Sequence, residues 1–257
     1  PSGTTVNFSS GAIQGNNDIR FLSGATMNWS GGQILGNAGL IINNGGNLNI
    51  TNTVGTGGNN LINNSGTITW GGTSTFQYAG VASGSQILNN GTFNIGSASS
   101  FQNIGGFTNV FYITNEASGT INKTNGTTTF DGNTILQNNG TVNVTSGVLS
   151  LNSIFGLNEY AGSFNIASGA ELTGTVSVNF TGSTFTNSGK VSTNELSFAG
   201  TSAQTLAGNG EIQTLRINNA NGLTLTGSPD VYFFLHLTNG KINAGENVLR
   251  YTSSNNN

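Results

Sequence analysis

Apolar and polar residues alternate in short bursts along this chain, and one burst keeps returning: an apolar residue, then Asn or Thr, then another apolar residue, often after Gly-Thr. It reads Val6-Asn7-Phe8, Met27-Asn28-Trp29, Leu48-Asn49-Ile50, Ile68-Thr69-Trp70, Phe93-Asn94-Ile95 and Val142-Asn143-Val144, with weaker copies at Val191 and Ile212. The copies begin roughly 20 to 28 positions apart, or two such steps apart in one case, so a single unit is too small to bury its own apolar face and must stack on its neighbours. The pattern predicts an all-β solenoid of about 10 to 11 coils.

Period-two alternation sets which way the side chains point. In Thr141-Val142-Asn143-Val144 the valines face inward and the polar residues outward. Stacked coils then carry two outward polar columns. One holds Thr26, Asn47, Thr67, Thr92, Thr120 and Thr141; the other holds Asn28, Asn49, Thr69, Asn94, Asn122 and Asn143. Trp29 and Trp70 fall in the inward phase. A second strand follows in Val148-Leu149-Ser150-Leu151, and another precedes the main one in Leu61-Ile62-Asn63-Asn64, Ile87-Leu88-Asn89-Asn90 and Ile135-Leu136-Gln137-Asn138-Asn139. Two or three short strands per coil, joined at Gly and Asn corners, describe a parallel β-helix. Asn63, Asn64, Asn89, Asn90, Asn138 and Asn139 read as corner residues whose amides bond the backbone or the next coil.

Composition sharpens this picture. Glycine makes up 40 of the 257 residues and Asn is about as frequent, while apolar residues are 34% of the chain and recur in phase, unlike those of a disordered linker. Nothing reads as an amphipathic helix. Without cysteine there is no disulfide and no thiolate metal site. The net charge is −3 and the six basic residues are scattered, which argues against a nucleic-acid partner. No apolar run is long enough for a membrane helix. The chain opens at Pro1 and shows no capping element before Asn257, so it is expected to be one domain, residues 1–257, cut from a longer protein.

Candidate chemistry is sparse. Long coil steps mark where a solenoid is decorated, and the step from Phe93 to Ile121 carries Phe101, Phe107, Phe111 and Tyr112, the first candidates for a ligand-facing rim. The step past Val142, through Ile154 to Tyr160, is a second candidate region, and an aromatic rim of Trp29, Trp70, Phe76 and Tyr78 is a weaker one. From about residue 161 the coils loosen and gain charge. Glu171, Lys190 and Glu211 each precede an inward residue, so the outward Thr column is expected to become Glu, Lys, Glu, a ladder of alternating sign. The competing catalytic reading needs two converging carboxylates, with Glu171 and Glu195, or Glu195 and Glu211, as the available pairs. His236 has no nearby Ser, Cys or Asp partner in sequence. No metal site, nucleotide fingerprint or cofactor is indicated.

The repeat style, with Leu215 to Gly227 followed by Leu237 to Asn243, resembles the strand-rich repeat regions of large bacterial surface adhesins. These are the filamentous haemagglutinin-like group in the broad sense, including very large secreted proteins of the Bacteroidetes type. The resemblance implies a right-handed parallel β-helix, exported to the cell surface or secreted, serving as a stalk or adhesive shaft without catalysis. The implied partners are a host or environmental surface, through a glycan or protein receptor, and neighbouring domains of the parent protein. A polysaccharide-binding or polysaccharide-degrading β-helix is the alternative. The regular Thr/Asn columns also suit an ice-binding solenoid.

Overall fold

Alternation at period two drives every element of this chain into strand, because each short segment can bury one side only by lying on the segment one coil away. A computed structural model describes residues 3–58, 60–79, 86–96, 99–104, 110–153 and 159–252. The chain winds as a right-handed parallel β-helix of about eleven turns. Every strand pairing is parallel and joins successive coils, as in Val6 opposite Met27, Met27 opposite Leu48, Leu48 opposite Ile68 and Ile68 opposite Phe93.

Three ladders make the faces of the coil. The first is a twelve-stranded sheet that runs from Thr5–Phe8 to Ile242–Asn243 without a register shift. The second starts at Ala12–Gly15 and the third at Ile19–Phe21. Lower in the stack the second and third fuse into long bent strands, Glu171–Phe180, Lys190–Phe198, Glu211–Asn218 and Asp230–Asn239. A β-bulge sits at each bend, between Gly174 and Ser177, Val191 and Leu196, and Ile212 and Thr214. Gly174 has φ +146°, and a side chain there would run into the Leu151 carbonyl oxygen of the coil above, so the first bend requires glycine.

The inward columns form one continuous apolar core from Phe21 to Val231. Trp70 stands edge-on to Phe101 with ring centroids 4.7 Å apart, and Phe164 stacks on Phe185 at 5.6 Å. An asparagine column runs through the core beside it. The buried amides of Asn64, Asn89 and Asn115 donate in turn to Asn89, Asn115 and Asn138 at 2.7 Å, and all four also donate to a first-face carbonyl, those of Thr92, Thr120, Thr141 and Ser163. Of the expected corner residues, Asn64, Asn89 and Asn138 thus lie inside, closing the third-to-first corner. Asn63, Asn90 and Asn139 lie outside it.

Two expectations about phase need correction. Val191 and Ile212 are not copies of the first-face phrase; they stack with Leu172 on the second face. The first face continues instead through Phe164, Phe185 and Leu206. Accordingly Glu171, Lys190 and Glu211 do stack in that order, but in a second-face column below Val148, while the Thr column carries on as Ser163, Thr184 and Thr205. The alternation is the same on all three faces, so it sets in and out without setting which face.

Candidate functional site

The first face presents two outward columns in strict register. Thr26, Asn47, Thr67, Thr92, Thr120 and Thr141 form one, and Asn28, Asn49, Thr69, Asn94, Asn122 and Asn143 the other. The Asn amides are tied along the axis: Asn49 donates to Asn28, Asn122 to Asn94, and Asn143 to Asn122, each at 2.9 Å. Each internal amide spends one N–H and one lone pair this way and keeps the others for solvent or a ligand. No outward strand position of this face is charged; its one charged residue, Lys123, points inward.

Lys123 is fully buried between Ile95 above and Val144 below, and its Nζ has no hydrogen-bond partner among the described residues. Burial pulls its pKa down from 10.5 to about 8. Sequence reading counted it only as a scattered basic residue, although its place in the repeated phrase, where other coils carry Trp29, Ile50, Trp70 or Ile95, marks it as inward.

Of the aromatic rim expected at Phe101, Phe107, Phe111 and Tyr112, Phe101 and Phe111 are not on the surface. Phe101 and Phe111 are each 1% exposed and pack against one another with centroids 5.3 Å apart. Phe76 and Tyr78 are equally buried, as are Trp29 and Trp70. Tyr112 is half-exposed on the third face, and Phe107 lies outside the described residues, as do residues 154–158 of the second long coil. The reason is the same alternation: Phe111 and Ile113 point in while Tyr112 between them points out. What the excess length does decide is position. The extra residues fall between second-face and third-face strands, between Ala79 and Gln86, Asn103 and Phe111, and Leu151 and Glu159.

Farther down, the same corner is the bend of the long strands, and there it opens as a cavity of about 370 Å³. Glu195, Arg216, Phe233, Phe234 and His236 line it with Asn194, on strands Lys190–Phe198, Glu211–Asn218 and Asp230–Asn239. Arg216 Nε donates to Glu195 Oε1 at 2.8 Å and its Nη1 to Thr238 Oγ1 at 2.8 Å. The hydrogen bond it donates to Glu195 holds the guanidinium more firmly in its charged form. Phe233 and Phe234 meet edge to face at 4.3 Å, and the Phe234 ring lies 5.6 Å from the His236 imidazole. They are exposed by 36% and 42% on a chain whose other outward residues are mostly Thr, Asn and Ser. His236, which has no Ser, Cys or Asp partner nearby in sequence, has an aromatic neighbour and sits in register with Arg216.

The proposed carboxylate pairs do not stand opposite each other. Glu171 lies opposite Lys190, with Nζ 3.3 Å from Oε1, whereas Glu195 lies opposite Ser177 beyond the bulge. Glu211 lies in the Glu171 column, next to Asp230. Among the described residues no three His, Asp or Glu side chains gather as a metal site, and no helix is long and apolar enough to cross a membrane. Comparison with protein-family models, with curated proteins and with solved structures returns no match.

Proposed function

We propose that the chain is a non-catalytic segment of a bacterial surface or secreted adhesin, a rigid rod that holds a binding surface away from the cell. The observation that carries this reading is the first face: twelve strands paired in register without a bulge, over one unbroken core. At ~4.8 Å per coil such a ladder spans about 50 Å, and every coil is tied to the next by backbone hydrogen bonds. The partner is a host or environmental surface reached through a glycan or protein receptor, in an extracellular setting, with neighbouring domains of a longer parent at either end. Beads coated with the purified chain should be retained on glycan- or protein-coated surfaces, and incubation with soluble polysaccharides should release no new reducing ends. Retention no better than on blank surfaces, or depolymerisation products, would overturn it.

A second reading is favoured by one observation, the uncharged, regularly spaced Thr/Asn lattice on that same face. A flat lattice of hydroxyls and amides orders water at the strand spacing, and an ice surface is its natural ligand. Inhibition of ice recrystallisation that vanishes in a Thr92→Lys, Thr120→Lys double variant supports this reading; no inhibition by the native chain removes it.

A further inference from the structure

We infer that the bend cavity between Glu195, Arg216, Phe234 and His236 is a glycan-binding subsite for a neutral hexopyranoside. The inference rests on the adhesive reading and names the ligand class for it.

Three features converge. First, consecutive bent strands bulge at the same height, and bulges re-aim side chains at binding sites. Second, Phe233, Phe234 and His236 form a continuous aromatic floor outside the core cluster, on the last long strand, which pairs onward only at Asp230 and Val231. An apolar floor of this kind matches the C–H face of a pyranose ring, and clustered exposed aromatics mark interaction sites. Third, the Arg216–Glu195 pair stands at the cavity wall with its geometry already fixed by Thr238. Two of the five guanidinium donors are occupied, so three donors and Glu195 Oε2 remain to bind adjacent sugar hydroxyls, as donor to one oxygen and acceptor from the next. Asn194 adds an amide whose Nδ2 already donates to Ser177 Oγ at 3.1 Å and whose carbonyl is a further acceptor. The cavity volume lies within the range of small-ligand sites and suits one or two sugar rings. One cation against one paired carboxylate gives no net charge at the wall, which favours a neutral sugar over a uronic acid or a sulfated glycan.

The test is a printed array of neutral and acidic hexose oligosaccharides, followed by calorimetric titration of the best neutral ligand. Phe234→Ala and Glu195→Gln should each weaken binding at least tenfold while melting within a few degrees of the native chain, and Tyr112→Ala should bind as the native chain does. In a second readout that does not depend on a variant folding, the His236 imidazole signals in NMR should shift on titration with the same oligosaccharide. Loss of binding in Tyr112→Ala but not in Phe234→Ala moves the site to the upper coils and overturns the inference. So does preference for acidic sugars, or an unmoved His236 signal. Retention of coated beads on a protein receptor with no glycan bound overturns the subsite but leaves the adhesive reading standing; no retention on any surface removes both.

Discussion

Replacing Lys123 by Met should make this protein more stable, although Lys123 is among the most deeply buried side chains it has. The ammonium sits between Ile95 and Val144 with no acceptor, so the folded state holds it at a disadvantage that the unfolded chain does not share. Its pKa falls from 10.5 to about 8. A drop of that size corresponds to about 3 kcal/mol of differential stabilisation between protonation states. Methionine keeps an unbranched side chain of similar volume and deletes only the charge, and exchanging buried charge for apolar bulk is commonly stabilising.

The pH dependence has a definite sign. Below pH 8 both folded and unfolded chains carry the proton, and the penalty is present in full. Between about 8 and 10.5 the unfolded chain keeps a proton that the folded one has released, so rising pH favours the folded state. Burial pushes the Tyr78 and Tyr160 hydroxyls up, which works in the opposite direction but only above the ordinary tyrosine pKa of 10.0. The window from pH 8 to 9.5 therefore isolates the lysine. Urea unfolding followed by circular dichroism should show native stability climbing across that window, Lys123→Met climbing less, and the variant ahead by up to about 3 kcal/mol at pH 7. A variant less stable than the native chain at pH 7, with a native profile flat from pH 8 to 9.5, would refute the reasoning.

Three further outcomes follow from the same structure. Asn115→Leu removes the third link of the buried amide column, leaving Asn138 Oδ1 and the Thr141 carbonyl short of a donor, and should cost about 3 kcal/mol in urea unfolding. Gly174→Ala forces a side chain against the Leu151 carbonyl at a left-handed backbone position; a loss of about 2 kcal/mol or more is expected, and a neutral result would mean that the bend relaxes. Lys190→Gln breaks the exposed pair with Glu171 and should cost under about 1 kcal/mol, the difference disappearing in high salt.

Much of this architecture was legible because alternation at period two and a recurring phrase constrain the same thing twice: which residues point inward, and what lies over them. Val6, Met27, Leu48 and Ile68 could be stacked from sequence alone, and they do stack. What alternation does not encode is the face. Leu172-Thr173 on the second face and Phe164-Asn165 on the first have the same in-and-out grammar, so Val191 and Ile212 were placed one face away from where they lie. Phe101 and Phe111 show the opposite lapse: their local alternation gave the inward phase, but the long coil step suggested a loop. Phe234-Leu235-His236 carried a readable signal as well, since Leu235 packs on the core and its two neighbours must then point out.

The position of the candidate subsite follows from how a solenoid handles a corner. In the upper coils the second and third faces are separate strands, and the corner between them absorbs added residues, short in Gly36 to Leu40 and longer in Asn103 to Phe111. From Glu171 onward those residues are gone and one strand must turn the corner while staying hydrogen-bonded to its neighbours. It does so by bulging, so that more residues of one strand stand against fewer of its neighbour at each bend. Beyond the bend the register is regular again, Leu196 over Leu215 over Leu235, which sets Glu195 and Phe234 just before that column and Arg216 and His236 just after it. The Glu195, Arg216 and Phe234 cluster stands at that bend, so restoring a loop should dismantle it. Inserting the three-residue connection Asn37-Ala38-Gly39 between Thr175 and Val176 and at the equivalent bends of the next two coils is expected to keep the fold's circular dichroism and abolish glycan binding together with the His236 response. Binding that survives such an insertion would show that the bend is not what makes the site.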